Sequence, residues 1–369
     1  METESKMKIA VACGGTGGHI FPGLATADTL KARGHAVTLW LAGMDIEATA
    51  LKDWDGPVHT VAARGMPRGF ALFRMVLPAF KLLRAMFACT RLMRVDRPAA
   101  LLAMGGYASV APVLAARRLG VPVVLHEANV IPGRAIRFLS RFASVIGVAF
   151  AESRPHFRRS RVVQTGMPIR RALSQAPAPA APRARGPFTA LVMGGSRGAR
   201  ALNRRVTGAL ALLKSHGLDV AAIHLAGAAD ADEVRAAYAA ANVPAEVHTF
   251  LHDMASAYAR ADVAICRAGS STCAELCHFG VASVLVPYPH ATNDHQAANA
   301  RVLERRGAAA VLLESSMSVE ALAALLREWQ SDPDRVERMR MAAKSAMMPD
   351  ADRRLAELME QAALKGGGE

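Results

Sequence analysis

Aromatic residues make up only 5% of the 369 residues, which leaves few platforms on which nucleic-acid bases could stack. No uninterrupted apolar run approaches the roughly twenty residues of a membrane-spanning helix. The start, Met1–Lys6, is polar and mixed in charge, and the apolar run behind it is too short for a signal peptide. Cysteine is sparse and odd in number: Cys13, Cys89, Cys266, Cys273 and Cys277. Without an export signal these are expected to be reduced thiols. Cys273 and Cys277 stand one helical turn apart, but no second Cys or His pair completes a metal site at standard spacing. Small, buried, apolar side chains are the simpler reading. Acidic residues are outnumbered, 31 against 45 Lys and Arg, for a formal charge of +14. Such an excess implies an anionic partner. A nucleotide or an acidic membrane fits better than nucleic acid, because the chain has neither a Lys-rich tail nor a zinc-finger pattern.

What is present is an ordinary globular mixture, 52% hydrophobic and 21% charged, long enough for about two domains. Short apolar runs alternate with longer Ala-, Leu- and Arg-rich stretches, the pattern of parallel βαβ units. Strands are expected over 8–12, 36–41, 100–103, 121–125 and 144–148 in the first half, and over 189–193, 220–225, 246–250, 263–266 and 283–286 in the second. That count suits a doubly wound α/β sheet in each half. The Pro/Ala-rich stretch 175–187 lacks large apolar residues and reads as a surface connection. The expected division is therefore an N-terminal domain over 1–167, a C-terminal domain over 168–345, and a helix and tail over 346–369 that pack back on the first domain.

Two glycine-rich loops, Gly14–His19 and Gly194–Gly198, each follow an apolar run and lead into a helical stretch. Glycine lets a backbone approach an anion closely, and the free N–H groups and dipole of a helix start favour negative charge, so a phosphate-bearing ligand is expected. The first loop lacks the Gly-x-Gly-x-x-Gly fingerprint, an acidic residue closing the second strand, and the Gly-Lys-Ser/Thr of a P-loop. Dinucleotide and simple NTPase readings are thereby disfavoured. His19, at the helix start, is either a base near physiological pH or a structural residue capping the turn.

Other polar clusters fall at expected strand ends, where open α/β sheets bind ligands. His126-Glu127-Ala128-Asn129 follows the run 121–125; a polar turn is the plainer alternative. Arg170 lies at the domain boundary, where its planar fork could reach a phosphate. Arg267–Glu275 follows 263–266, and Thr272 with Glu275 has the spacing of a capping box. As a second Gly/Ser-rich helix start it also suits an anion, with Glu275 placed for paired ribose hydroxyls. His290–Gln296 could hydrogen-bond a sugar. Three Asp-x-Asp pairs, Asp53/Asp55, Asp230/Asp232 and Asp332/Asp334, end no apolar strand, and no protein-bound metal is expected. The segment Phe70–Phe87 mixes Phe, Leu and Met with Arg and Lys. It suits an anionic membrane surface, or else a partly buried helix pair broken at Pro78.

Taken in order, Gly14–Leu24, Met104–Tyr107, His126–Asn129, Gly194–Asn203, Phe250–Tyr258, Ala261–Glu275 and Pro287–Asn299 resemble the consecutive motifs of the MurG family of N-acetylglucosaminyltransferases. The resemblance implies a GT-B fold, two Rossmann-like parallel-sheet domains facing across a cleft, with UDP-GlcNAc held mainly by the C-terminal domain. The implied acceptor is undecaprenyl-pyrophosphoryl-MurNAc-pentapeptide, bound by the N-terminal domain at the cytoplasmic face of the inner membrane, with other cell-wall synthesis proteins as partners. Carried over by position, the substrate contacts are Thr16, Gly17, Gly18, Asn129, Arg170 and Ser196, with Leu251 near the uracil. Ser270, Ser271, Thr272, Cys273, Ala274 and Glu275 meet diphosphate and ribose, and Gln296 meets GlcNAc. His19 is the implied base, with Glu127 next in line, and no cofactor or metal is implied. This chain departs from the family pattern at Ala128 and Arg197, where Gln is frequent, and at Met167, where Asn is usual. A GT-B transferase for a soluble acceptor and a UDP-sugar epimerase are the alternatives within the fold.

Overall fold

The computed structural model describes residues 6–61, 72–176, 186–195, 199–346 and 348–366, with the backbone alone described for 72–79. Most of the expected connection 175–187 lies outside these residues, as does Ser196. The chain forms two units, Met1–Arg170 with Met348–Glu369, and Arg171–Met347. Arg170, expected in the C-terminal domain, is thus the last residue of the first unit before the chain crosses over. The helix Ala351–Gly366 belongs to the first unit and packs on the helix Gly17–Ala32.

The first unit contains β1 (Lys8–Ala12), β2 (Ala36–Leu41), β3 (Val58–Thr60), β4 (Ala100–Ala103), β5 (Val123–Glu127), β6 (Val145–Val148) and β7 (Val162–Gln164). They pair in parallel in the order 3-2-1-4-5-6-7. The second unit contains β8 (Phe188–Met193), β9 (Val220–Leu225), β10 (Ala245–His248), β11 (Val263–Cys266), β12 (Ala282–Leu285) and β13 (Ala309–Val311), parallel in the order 10-9-8-11-12-13. Strand order reverses between β1 and β4 and between β8 and β11. Each glycine loop follows the strand at such a switch point, where doubly wound sheets leave a crevice for ligands.

Central strands read as continuous apolar runs because helices cover both faces of a parallel sheet. On the first sheet, Leu355 and Met359 of the C-terminal helix pack with Val11 and Leu102 on one face, while Trp40, Met93 and Leu101 fill the other. Leu355 is fully buried, so truncation to alanine is expected to destabilise the unit by about 2–5 kcal/mol. β3, β7 and β13, absent from the sequence expectation, are three-residue strands at sheet edges. Partial exposure there removes the need for an apolar run.

Two local expectations are corrected. β5 begins at Val123, because Pro122 has no N–H to give the ladder, and it runs on to Glu127, so His126 and Glu127 are strand residues rather than loop residues. The segment after residue 71 is one helix, Leu72–Asp96, that passes through Pro78 without a break. Its later turns bury Cys89 and Met93 and pack on the helix Val110–Arg118, which outweighs one missing backbone bond.

Candidate active site

In the first unit the ends of β1, β4 and β5 bring three loops together. Gly14 is required by close approach: a Cβ there would stand 2.5 Å from Ala42 N and 2.9 Å from Glu47 Oε1. Gly15 takes φ +115°, a glycine conformation, and its N–H donates to Glu47 Oε1 at 2.8 Å. The Gly15 N–H of the first glycine loop is therefore already taken by an internal carboxylate. Thr16 is the N-cap of the helix Gly17–Ala32, and its carbonyl accepts the N–H groups of His19 and Ile20. Gly17 and Gly18 form the first two positions of that helix.

The His19 ring turns back toward the cap, with Nδ1 3.1 Å from Thr16 Oγ1. The ring also lies against the loop after β4, where Gly105 (φ +98°) and Gly106 (φ +70°) leave room for it. A Cβ on Gly106 would come within 3.1 Å of His19 Cε1. Surrounding protein lowers the His19 pKa to about 4, so the ring is neutral at pH 7 and can accept a proton. Arg170 lies over the Phe21 ring at 5.1 Å, two residues beyond His19 in the same helix.

At the end of β5, buried His126 donates through Nε2 to the Gly166 carbonyl at 2.9 Å. Burial lowers its pKa to about 4. Glu127 accepts from Asn129 N–H (2.8 Å), the Asn129 side chain (3.2 Å) and Gly133 N–H (3.0 Å), while burial raises its pKa to about 7. Glu127 thus pins the loop that carries Asn129.

In the second unit Gly195 takes φ +94° after β8. The following helix, Arg200–Ser215, is anchored by Asn203, whose side-chain amide donates to Asp230 and to the Ala226 carbonyl at 3.0 Å each. Its oxygen accepts from His224 Nε2 at 3.1 Å, and His224 Nδ1 accepts from Tyr238 at 2.9 Å. Burial lowers the His224 pKa to about 4.

His126 and His224 give a stability prediction. Unfolded rings take a proton near pH 6.5, these folded ones only near pH 4, so the stability of the neutral form is complete above 6.5 and lost as pH falls toward 4. Each ring contributes on the order of 3 kcal/mol. The thermal midpoint should fall steeply between pH 6.5 and 4, and a level profile across that interval contradicts the assignment.

The helix Ser270–Phe279 follows β11 with Gly269 as its N-cap and no side-chain cap. The capping box expected from Thr272 and Glu275 does not form, because the helix starts before Thr272. The Cys273 N–H is already bonded to the Gly269 carbonyl and its thiol is buried, with burial raising its pKa. Cys273 therefore offers a ligand neither donor, and the first turn, Ser270 to Thr272, is the anion-facing part. Ser271 Oγ is buried without a hydrogen-bond partner. Ala274 lies in the next turn, and Glu275 Oε2 accepts from Tyr258 at 2.7 Å. Nearly buried Arg267 donates to the carbonyls of Val286 and Pro287 at 3.2 Å, pairs with Glu314 and lies over Tyr288. Tyr288 N–H donates at 2.9 Å to the side-chain oxygen of Gln296, in the first turn of the helix His295–Arg305. Leu251 is partly exposed before the helix Met254–Arg260.

The glycosyltransferase family 28 N-terminal domain matches residues 9–148 and its C-terminal domain matches 189–355. The chain belongs to glycosyltransferase family 28. It is 41% identical, over 98% of its length and 82% of the relative, to the UDP-N-acetylglucosamine--N-acetylmuramyl-(pentapeptide) pyrophosphoryl-undecaprenol N-acetylglucosamine transferase of Xanthomonas euvesicatoria pv. vesicatoria. The protein of the same name from Myxococcus xanthus is 38% identical, over 95% of this chain and 92% of the relative. MurG of Acinetobacter baumannii has a similar structure, with a TM-score of 0.81 and 34% identity over 97% of this chain and all of the other. The family membership read from the motifs thus holds across both units.

Sequence reasoning missed Glu47 and Tyr258 as supports of these sites. Glu47 gave no signal because the helix it serves has Met44 at its N-cap, where Ser, Thr, Asp or Asn would have marked a helix start. Among the described residues no group of three or more His, Cys, Asp or Glu is arranged to hold a metal ion.

Proposed function

We propose that this chain transfers GlcNAc from UDP-GlcNAc to the 4-hydroxyl of undecaprenyl-pyrophosphoryl-MurNAc-pentapeptide, converting lipid I to lipid II with inversion at the anomeric carbon. The observation that carries the reading is the placement of the His19 ring, with Nδ1 3.1 Å from Thr16 Oγ1 and two positive-φ glycines leaving space beside it. The donor and acceptor are those in the names of the relatives. In the transfer, the acceptor hydroxyl gives its proton to His19 Nε2 as its oxygen bonds to C1 of GlcNAc. The bond from C1 to the diphosphate oxygen breaks, and UDP leaves with the electron pair. N–H groups of Ser270, Ser271 and Thr272, with the helix dipole, offset the charge that develops on the diphosphate. Glu275, oriented by Tyr258, accepts from the ribose hydroxyls, and Gln296 donates to the GlcNAc. The remaining contacts are those of Thr16, Gly17, Gly18, Asn129, Arg170, Ser196 and Leu251.

A lipid acceptor agrees with the helix Leu72–Asp96, which exposes Phe80 (62%), Leu83 (48%) and Phe87 (51%) beside exposed Lys81, Arg84 and Arg91. No helix among the described residues is long and apolar enough to cross a membrane. Peripheral attachment to the anionic cytoplasmic surface of the inner membrane completes the proposal.

The chemistry is tested by running UDP-GlcNAc and lipid I in excess chelator and determining the linkage formed. A β-linked disaccharide is expected from the α-linked donor. An α-linkage rejects inversion, and turnover lost in chelator and restored by one divalent cation rejects a metal-free reaction.

A further inference from the structure

We infer that Glu47 is a positioning residue for the transfer step, holding His19 through Gly15 and Thr16. The Glu47 carboxylate is 3% exposed and accepts four backbone N–H groups. Oε1 takes Gly15 at 2.8 Å and Ala42 at 3.1 Å; Oε2 takes Gly43 at 2.7 Å and Met44 at 2.9 Å. Capping of the short helix Asp45–Ala50 accounts for the bond to Met44. It does not account for Gly15, which belongs to the turn after β1 rather than the turn after β2. One buried carboxylate thus ties two neighbouring strand ends together, and they approach so closely that a Cβ on Gly14 would meet Ala42 N as well as Glu47 Oε1.

From Gly15 the constraint passes along the chain. Gly15, at φ +115° and with its N–H held by Glu47, sets the direction of Thr16. The Thr16 carbonyl holds the His19 N–H at 2.9 Å, and its hydroxyl holds His19 Nδ1 at 3.1 Å. A base acting through Nε2 must carry its own proton on Nδ1, and Thr16 Oγ1 is the acceptor placed for that proton. The same run of bonds therefore fixes the ring orientation and offers an acceptor for the Nδ1 proton that a base acting through Nε2 requires. This inference rests on the reading of His19 as the base.

The test compares the full-length protein with its Glu47→Gln variant. The amide matches the carboxylate in shape but replaces one acceptor oxygen with a donor, so two of the four N–H groups lose their partner. Expected are a kcat lowered about 10- to 100-fold, a KM for UDP-GlcNAc within about twofold of the parent, and a changed His19 imidazole nitrogen spectrum without substrate. That spectrum should pass from a single Nδ1–H form to a mixture of tautomers. Glu47→Asp, which keeps both oxygens but draws them back, should show a smaller change of the same kind and serves if the Gln variant does not fold. A lower melting temperature with unchanged kcat per folded molecule and an unchanged His19 spectrum would overturn the inference and leave Glu47 as a structural brace. Failure of the base reading is separate: it appears as full turnover in His19→Ala, whatever the His19 spectrum does in the Glu47 variants.

Discussion

Replacing His19 with alanine is expected to lower kcat about a thousandfold, within the range typical of a lost general base, while UDP-GlcNAc affinity stays within a few-fold. His19 lies at the turn after β1, and the groups assigned to the diphosphate and ribose lie on the other unit, so the two effects should separate. The pH profile sharpens the assignment. Activity through a neutral imidazole falls as the ring takes up a proton, and the His19 pKa is held down to about 4. The acid limb of kcat/KM should therefore lie well below the ordinary histidine value, running into the acid loss of stability described above. Glu127, the other candidate, has its pKa raised to about 7, so an acid limb near 7 that persists in His19→Ala would pass the role to it. Its three N–H bonds from the Asn129–Gly133 loop make a structural role the better account.

The proposed membrane contact gives the second large expected effect. Phe80, Leu83 and Phe87 are spaced along one side of the helix Leu72–Asp96 and each is about half exposed. Moving such side chains into the headgroup boundary contributes roughly 1 kcal/mol each, so replacing all three with serine should weaken binding to anionic liposomes on the order of 100-fold. Arg118, which lies over the Phe87 ring at 5.8 Å, and the flanking Lys81, Arg84 and Arg91 add attraction that salt screens. Co-sedimentation of the parent protein should decline with ionic strength, and that of the triple variant should be low throughout. Equal sedimentation of the two proteins would remove this helix from the membrane contact.

The parts of the molecule that were legible beforehand are those in which burial imposes a pattern. Central strands such as β1, β4 and β11 are covered on both faces and must be apolar along their length, so their positions, and glycine loops directly after two of the apolar runs, could be read. The edge strands β3, β7 and β13 carry no such demand and left no mark. Glycines signalled the turns, but not which of their N–H groups an internal partner already uses. The Gly15 bond to Glu47 joins residues far apart in the chain, and no spacing rule reaches that distance. Cys273 shows a related gap: a motif can place a residue in a helix turn, but the starting point of the helix decides whether its N–H is already bonded, as it is here to the Gly269 carbonyl. Pro78 fails for an energetic reason, since one lost backbone bond is small beside the packing of the turns that bury Cys89 and Met93.

The most direct measurement is transfer of labelled GlcNAc from UDP-GlcNAc to lipid-linked muramyl-pentapeptide, with a soluble sugar and water as competing acceptors. Label in the lipid-linked disaccharide, with little in either control, is the result expected of the proposed reaction. Label found only as free GlcNAc or on the soluble sugar, with none on the lipid, would contradict it while leaving the family 28 fold in place.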